Sequence, residues 1–168
     1  MNVDPFFTRL NPVVRWVLRS PLHWLASGGL VLLTIRGRRS GREYQIPVGY
    51  QRDADDLVVM VSHAHTKQWW RNFREPGEVG LHLRGRPTTG TAVVTDPASD
   101  EFRERTEATF RRLPLMGAQF GIRFDRHEGL REDQLAHLRR TCAVVRIALQ
   151  GRRGRSPSAT QRSSSEVT

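Results

Sequence analysis

LVLLTIRGRRSGREYQIPVGY, residues 30–50, holds two apolar runs on either side of a glycine-bracketed basic loop. The runs 30–36 and 43–50 are short and rich in Val, Leu and Ile, which is typical of β-strands. In the basic loop, residues 37–42, two glycines let the backbone turn tightly and present N–H groups, while a serine hydroxyl and three guanidiniums gather beside them. The stretch therefore predicts two strands joined by an anion-binding loop.

Similar short strands continue along the chain. They are separated by clusters of Gly, Pro, Asp or Arg, including polar turns at 53–56 and 85–87. The further strands are expected at residues 57–62, 79–83, 89–95 and 143–149. Six short strands in series favour an antiparallel barrel or sandwich over a parallel sheet.

Two helical patterns lie between the last two of these strands. Asp96 and Pro97 open the first, which carries an apolar stripe of the kind that faces a core and ends before Pro114. The second is short and lies near residues 131–139. Cys142 is the only cysteine, so no intrachain disulfide can form, and its place beside an apolar run indicates a small core residue.

The two ends of the chain differ from its strand-rich middle. Residues 1–28 contain two helix-start signals and are expected to form an N-terminal helical segment. We expect residues 6–25 to pack across the barrel, and an interfacial helix against anionic lipid is the alternative. Residues 151–168 are rich in Arg, Ser and Gly and too poor in apolar residues to fold, which predicts a disordered basic tail. The remaining residues, 29–150, are expected to form the barrel domain.

The charge of the chain points to an anionic partner. The 168 residues carry a formal net charge of +10 and are 38% hydrophobic, which suits one globular domain. Such a charge attracts nucleic acid, anionic lipid or a phosphorylated ligand. Nucleic acid is disfavoured, because no nucleic-acid-binding module is matched and the aromatic residues do not alternate with lysines along a strand.

A second anion-friendly element is expected at residues 65–74. Thr66 is placed to cap a short helix whose first turn carries Lys67, the only lysine of the chain, and a tryptophan pair. Helix N-termini attract anions, and Lys67 and Arg71, four residues apart, would share one face. The element would therefore add two cations close to the basic loop.

The order of these motifs resembles that of the deazaflavin-dependent nitroreductase family. It runs from the basic loop through Ile46-Pro47-Val48 and Ser62 to Trp69-Trp70-x-Asn72-Phe73 and Glu75-Pro76, all within about residues 30–94. The resemblance implies a mainly β fold with flanking helices, a six-stranded antiparallel split β-barrel of the FMN-binding type. It also implies coenzyme F-420, a deazaflavin whose tail carries a phosphate and glutamate carboxylates. That polyanionic tail and the basic loop agree in charge.

The resemblance further implies an oxidoreductase that moves a hydride from reduced F-420 to an electron-poor small molecule, such as a quinone, a nitroaromatic or an activated enone. Because the cofactor carries the chemistry, no residue is assigned as catalytic. The cofactor-binding residues implied by position are Arg38, Arg39, Ser40, Gly41, Arg42, Ile46, Pro47, Val48, Ser62, His63, Lys67, Trp69, Trp70 and Arg71. The basic loop, with Lys67 and Arg71, would hold the phosphate and tail, and residues 46–48 would lie along the ring.

Several alternatives stay open. A phosphate-binding loop does not distinguish F-420 from FMN, so an FMN-dependent oxidoreductase on the same barrel is one of them. Another is a non-catalytic protein that binds a cofactor or lipid at the membrane surface through residues 6–25. A cytoplasmic location is expected, with contact to the inner face of the membrane and a homodimer both left open. His63 and His65 have no third donor nearby, so no metal site is expected.

Overall fold

The computed structural model describes residues 29–150, so the predicted N-terminal helical segment and basic tail lie outside the described residues. Within this range, seven strands and two α-helices follow one another. The strands are β1 (Leu30–Arg36), β2 (Glu43–Gly49), β3 (Gln51–Asp53), β4 (Asp56–Val61), β5 (Gly77–Leu83), β6 (Arg86–Val94) and β7 (Ala143–Leu149). The helices are α1 (Asp100–Arg112) and α2 (Glu132–Thr141), and 3₁₀ turns span Ala64–Thr66, Trp69–Phe73 and Pro114–Phe120.

All seven strands form one antiparallel sheet in the order β2-β1-β5-β6-β7-β4-β3. β2 and β3 are the two edges of this sheet, yet only Tyr50 separates them along the chain. Because neighbouring Cα atoms lie about 3.8 Å apart, the two edges must meet at this residue. The sheet therefore curls into a half-barrel, whose corner is held by the buried Tyr50 and by its N–H, which donates to Gly29 O at 3.1 Å.

The expectation of six strands is wrong by one, and the additional strand is β3. Its residues Gln, Arg and Asp have low strand propensity, and the predicted polar turn began at the last of them. Pairing with β4, from Gln51 opposite Val58 to Asp53 opposite Asp56, is what makes them a strand. The other six strands are present, although β5 and β6 begin two and three residues before their predicted starts, and the mainly β architecture with flanking helices is confirmed.

The core has two parts, one on each face of the sheet. Alternate residues of β4, such as Leu57 and Val59, point into the half-barrel, while Val58 packs against the helices on the outer face. Phe102 and Phe110 of α1 are fully buried in that outer part. The helices thus shield the outer face of β4 and β7, which explains why these strands are apolar on both sides.

The first helix begins at a capped end. Ser99 Oγ accepts a hydrogen bond from Phe102 N at 3.2 Å, and Asp100 and Glu101 lie in the first turn, where negative charge is favourable. The helix therefore starts three residues after the Asp96–Pro97 signal. None of the helices in residues 29–150 is long and apolar enough to cross a membrane.

Candidate functional site

The basic loop meets the β4–β5 connection, residues 62–76, at one end of the sheet. β1 ends at Arg36 and β5 begins at Gly77, and the two strands pair antiparallel with Thr34 opposite Gly80. The loop that leaves β1 and the connection that enters β5 are therefore neighbours. Their contact is direct, because Arg38 N donates to Asn72 Oδ1 at 3.1 Å.

The loop is closed by its own backbone. Gly37 N donates to Arg42 O at 2.9 Å, and Gly41 N donates to Gly37 O at 2.8 Å. Arg42 N reaches Ser40 Oγ at 3.3 Å, and Gly41 has a φ of 65°, which favours glycine. With the Arg38 amide bound to Asn72, four of the loop amides are already used. The expectation that the amides face an anion is thus weakened, and the guanidiniums are left as the main anion-binding groups.

The three arginines of the loop are not equivalent. Arg38 Nη2 forms an exposed ion pair with Glu75 Oε2 at 3.0 Å. Arg39 and Arg42 are exposed, and among residues 29–150 their side chains form no ion pair and no hydrogen bond. An anion at this loop would therefore meet Arg39 and Arg42 without displacing a carboxylate.

Asn72 is a residue that the site prediction missed, although it belongs to the motif that carried the resemblance. Its Nδ2 donates to Tyr44 Oη and to Trp69 O, both at 2.9 Å, while its Oδ1 receives the Arg38 amide. One half-buried amide thus joins the loop, β2 and a 3₁₀ turn. Burial raises the pKa of Tyr44, and the hydrogen bond from Asn72 opposes part of that rise.

Ile46, Pro47 and Val48 lie on β2, which is an edge strand of the sheet. Ile46 and Val48 are half-buried and pack against the inner core. A proline is tolerated here because the second side of an edge strand needs no ladder partner. The same edge leaves backbone N–H and C=O groups free of strand partners among the described residues, so β2 can offer them to a planar ring.

Ser62, Lys67 and Gln119 form a polar cluster at the end of β4. Lys67 Nζ donates to Ser62 Oγ at 3.3 Å, and Gln119 Nε2 donates to the same oxygen at 3.4 Å. Ser62 is only 5% exposed, and burial lowers the pKa of Lys67. Gln119 was not predicted as a site residue, since no motif marks it and only the folding of the turn Pro114–Phe120 brings it to Ser62.

His63 follows directly and has a φ of 50°, a strained backbone value for a residue other than glycine. Its side chain is exposed, and its ring lies 6.4 Å from that of His65. Among residues 29–150, no three potential metal ligands come together.

The predicted helix at residues 65–74 is two 3₁₀ turns instead. Thr66 does not cap a helix, because its Oγ1 donates backwards to His63 O at 2.9 Å. Lys67 is extended and points to Ser62, whereas Arg71 Nη1 donates to Gln68 Oε1 at 2.8 Å. Lys67 and Arg71 therefore do not share a face, and no helix N-terminus strengthens an anion site here.

The two tryptophans differ in their surroundings. Trp69 packs edge-on to Phe73 with ring centroids 6.4 Å apart, and both tryptophans touch the inner core. Trp70 Nε1 donates to Ala64 O at 2.8 Å, and the guanidiniums of Arg71 and Arg74 lie 5.6 and 5.8 Å from the centre of its ring. Trp69 thus supports the core, while Trp70 forms a wall with two cations on it.

Comparison with known proteins identifies the family. The family model described as F420H(2)-dependent quinone reductase matches residues 22–114, which is more than half of the chain and contains the motifs discussed above. No curated protein matches the chain.

Several solved structures are similar in fold. A FAD and heme binding protein from Mycobacterium smegmatis is 19% identical with a TM-score of 0.48, and the match covers 74% of this chain and 62% of that one. An F420-H2 dependent reductase (FDR-A) is 17% identical with a TM-score of 0.48, covering 70% of this chain and 92% of that one. A domain-swapped dimer is 16% identical with a TM-score of 0.48, covering 80% and 98%. These scores are low, so the family assignment rests on the family model.

The match agrees with the geometry. The matched residues include the basic loop, β2 and the whole β4–β5 connection, which are the parts that Asn72 ties together. The predicted cofactor, F-420, is the cofactor for which the matching family is named, and the predicted resemblance is thereby confirmed. The chain belongs to the F420H(2)-dependent quinone reductase family.

Proposed function

We propose that this protein is an oxidoreductase that uses reduced F-420 to reduce a quinone, and that its curled sheet is a split barrel. The observation that carries the proposal is the pair of guanidiniums of Arg39 and Arg42, which have no partner within residues 29–150 and belong to the loop that leads into the edge strand β2. A phosphate and several carboxylates require cations of this kind, which bind such groups through charge-assisted hydrogen bonds. The donor set of the loop therefore fits the tail of F-420.

The protein would contribute position and polarity. When bound, F-420 supplies the hydride, and the chain has to hold its ring and the acceptor face to face. The edge of β2 at residues 46–48 offers backbone groups to the ring, and Trp70 closes one side. Arg39 and Arg42 would thus hold the cofactor at its tail, while β2 and Trp70 would hold it at its ring.

Ser62 is suited to the acceptor. Its oxygen accepts two hydrogen bonds, from Lys67 and Gln119, so its own O–H remains free to donate. A quinone carbonyl that gains a hydride also needs a proton. We place Ser62 O–H on that carbonyl oxygen, with the Lys67 ammonium replacing the proton that Ser62 gives up. The lowered pKa of Lys67 makes it a better proton donor than an ordinary lysine.

Cofactor binding is tested by fluorescence titration with F-420 and with FMN. Arg39→Ala and Arg42→Ala should each weaken F-420 binding by roughly 1.5–3 kcal/mol, about 10- to 150-fold in Kd. Arg86→Ala is the matched control, because Arg86 is exposed and lies opposite Leu83, towards the other end of β1. Equal F-420 affinities for all three variants would exclude the loop as the binding site of the tail. Tighter binding of FMN than of F-420 would favour an FMN enzyme.

Proton donation is tested by the pH dependence of quinone reduction. Since the ammonium form of Lys67 is the active one, kcat should fall as the pH rises through its lowered pKa. In Lys67→Arg kcat should be lower, because arginine stays protonated and gives up its proton poorly, and the fall should disappear from this range. The same pH profile in both proteins would show that Lys67 gives no proton. Comparing a quinone, a nitroaromatic and an enone as substrates would then rank the acceptors, with the quinone expected first.

Three further parts of the proposal concern partners and location. Residues 6–25 would contact the inner face of an anionic membrane, where quinones are dissolved, and the protein would otherwise be cytoplasmic. Binding to anionic vesicles at low salt tests the contact, and indifference to them would exclude it. Pairing with a second copy is tested by the molar mass in solution.

A further inference from the structure

A groove of about 520 Å³ lies beside the β4–β5 connection and away from the basic loop. Its walls come from residues 64–74, the end of β6, the last turn of α2 and the start of β7. None of the residues of the basic loop lines it, and only Trp70 and Arg71 belong to both the groove and the predicted cofactor site. The groove therefore shares Trp70 with the proposed ring site, while the proposed function uses none of its other lining residues.

The groove is strongly positive. Arg71, Arg74, Arg139 and Arg140 line it together, against a single carboxylate, Asp96. None of the four arginines forms an ion pair within residues 29–150, although six other arginines of that range do. Residues 1–28 and 151–168 hold seven arginines and only two acidic side chains, so they add further positive charge to the chain.

Two buried donors in the lining have no partner. Thr95 is 4% exposed, and its Oγ1 has no hydrogen-bond partner among the described residues, nor has the buried Nε of Arg139. A buried polar atom without a partner costs free energy, so such atoms normally indicate a missing ligand or water. Both atoms can donate a hydrogen bond, and each belongs to a residue that lines the groove.

The opposite wall is fixed in place. Trp70 is anchored by its hydrogen bond to Ala64 O, and the guanidiniums of Arg71 and Arg74 are held near its ring. Arg71 is also tied to Gln68 through one terminal nitrogen. Arginines that are held before a ligand arrives lose less side-chain entropy on binding it, which favours affinity.

We propose that this groove is a second anion-binding site, which takes a ligand bearing phosphate or carboxylate groups. The arginines supply charge and paired N–H donors, and the Thr95 hydroxyl with Arg139 Nε supplies direction. Two sources have this chemistry: a separate small oxyanion, and the acidic tail of F-420 extending past the ring. The assignment of the F-420 tail as the ligand rests on the proposed function, whereas the assignment of a separate oxyanion does not.

Inorganic pyrophosphate is a suitable probe for the full chain at low salt. Its binding can be measured by calorimetry and by the NMR shifts of the Trp70 indole N–H and the Arg139 side-chain N–H groups. Arg139→Gln and Thr95→Val should each weaken binding at least about tenfold. Arg86→Gln, a surface arginine outside the groove, should leave it unchanged. Thr95→Val removes only an unpaired hydroxyl, so it should fold as well as the wild type. No binding by the wild type, or the same loss in the control as in the groove variants, would overturn the proposal.

Competition identifies the source. If F-420 displaces pyrophosphate while the deazaflavin core without its tail does not, the tail is the ligand. If neither displaces it, the ligand is a separate oxyanion. If the tail-less deazaflavin also displaces pyrophosphate, the pyrophosphate had bound at the ring site, and the proposal would be overturned. A protein that binds pyrophosphate in the groove but no deazaflavin would contradict the proposed function alone.

Discussion

The Asn72 side chain holds several parts of the candidate site together without itself having to contact a ligand. Its amide bonds to Arg38, Tyr44 and Trp69, on three different parts of the chain. We expect Asn72→Ala to lower the free energy of unfolding by about 1–2 kcal/mol, because these bonds are lost but water can reach the freed groups. It should also speed hydrogen exchange at the Arg38 amide.

Gln45→Ala is the control for Asn72→Ala. Gln45 is half-buried on the same strand as Tyr44, and its side chain forms a single hydrogen bond, to Thr34 Oγ1 at 3.2 Å. Urea unfolding should show the smaller loss for Gln45→Ala, and the exchange of the Arg38 amide should not change. Similar losses in both variants would mean that Asn72 is an ordinary surface amide.

Cys142 allows a prediction about pH. Burial raises the pKa of its thiol from 9.0 to about 12, so between these values the unfolded chain loses a proton that the folded chain keeps. The folded state therefore becomes less stable as the pH rises from about 9 towards 12, by about 1.4 kcal/mol for each pH unit in this window. Below pH 9 the thiol is protonated in both states and has no such effect.

The check is urea unfolding at a series of pH values for the wild type and Cys142→Ala. Below pH 9 the variant should be less stable, because it leaves a small cavity, but its stability should fall less steeply above pH 9. Parallel curves would mean that the thiol is not protected. The buried position agrees with the sequence-based reading of this residue as a small core hydrophobe.

At the scale of elements, the basic loop depends on one backbone angle. Gly41 has a φ of 65°, and a Cβ added to it would meet nothing within 4 Å, so any cost of Gly41→Ala comes from the backbone alone. We expect a loss of roughly 1–2 kcal/mol in stability, since a left-handed conformation is unfavourable for alanine. F-420 affinity should fall with it, if the loop changes shape.

Gly41→Asn provides the comparison, because asparagine tolerates the left-handed region better than alanine. Thermal unfolding and F-420 titration should both place it between wild type and Gly41→Ala. If alanine were tolerated as well as glycine, the loop would not need its observed shape.

Local patterns predicted some elements well and others poorly. β1 and β7 have the predicted bounds because nearly continuous apolar runs and flanking turns mark them without help from the rest of the chain. β3 was missed because its polar residues become a strand only through β4. The helix expected after Thr66 is a pair of 3₁₀ turns, and the second contacts β6, β7 and the basic loop. Gln119 and the groove arginines could not be predicted, since distant segments bring them together.

At the scale of the whole molecule, β7 decides whether the sheet is complete. It lies between β6 and β4, and its pairing with β4 brings together residues about 90 positions apart, such as Asp56 and Ala148. A chain that ends at residue 142 should therefore lose cooperative unfolding, because two central strands are left without a neighbour and the inner core loses Val145 and Ile147.

A chain that ends at Gln150 is the matched control. It keeps β7 and removes only residues 151–168, so it should unfold at the same temperature as the full chain. Calorimetry of both truncated chains measures the unfolding temperature and shows whether unfolding is cooperative. A cooperative transition in the shorter chain would mean that the remaining strands form a stable unit by themselves.

The corner at Tyr50 has a consequence for how such a chain can change in length. Only Tyr50 connects the two edge strands β2 and β3, so no loop is available here to absorb an added or deleted residue. Because side chains alternate between faces, a shift of one position would turn the residues of β3 inside out or force β4 out of step with β7. We therefore expect insertions and deletions elsewhere, in the exposed turns between β6 and β7 that lie outside the packed helices.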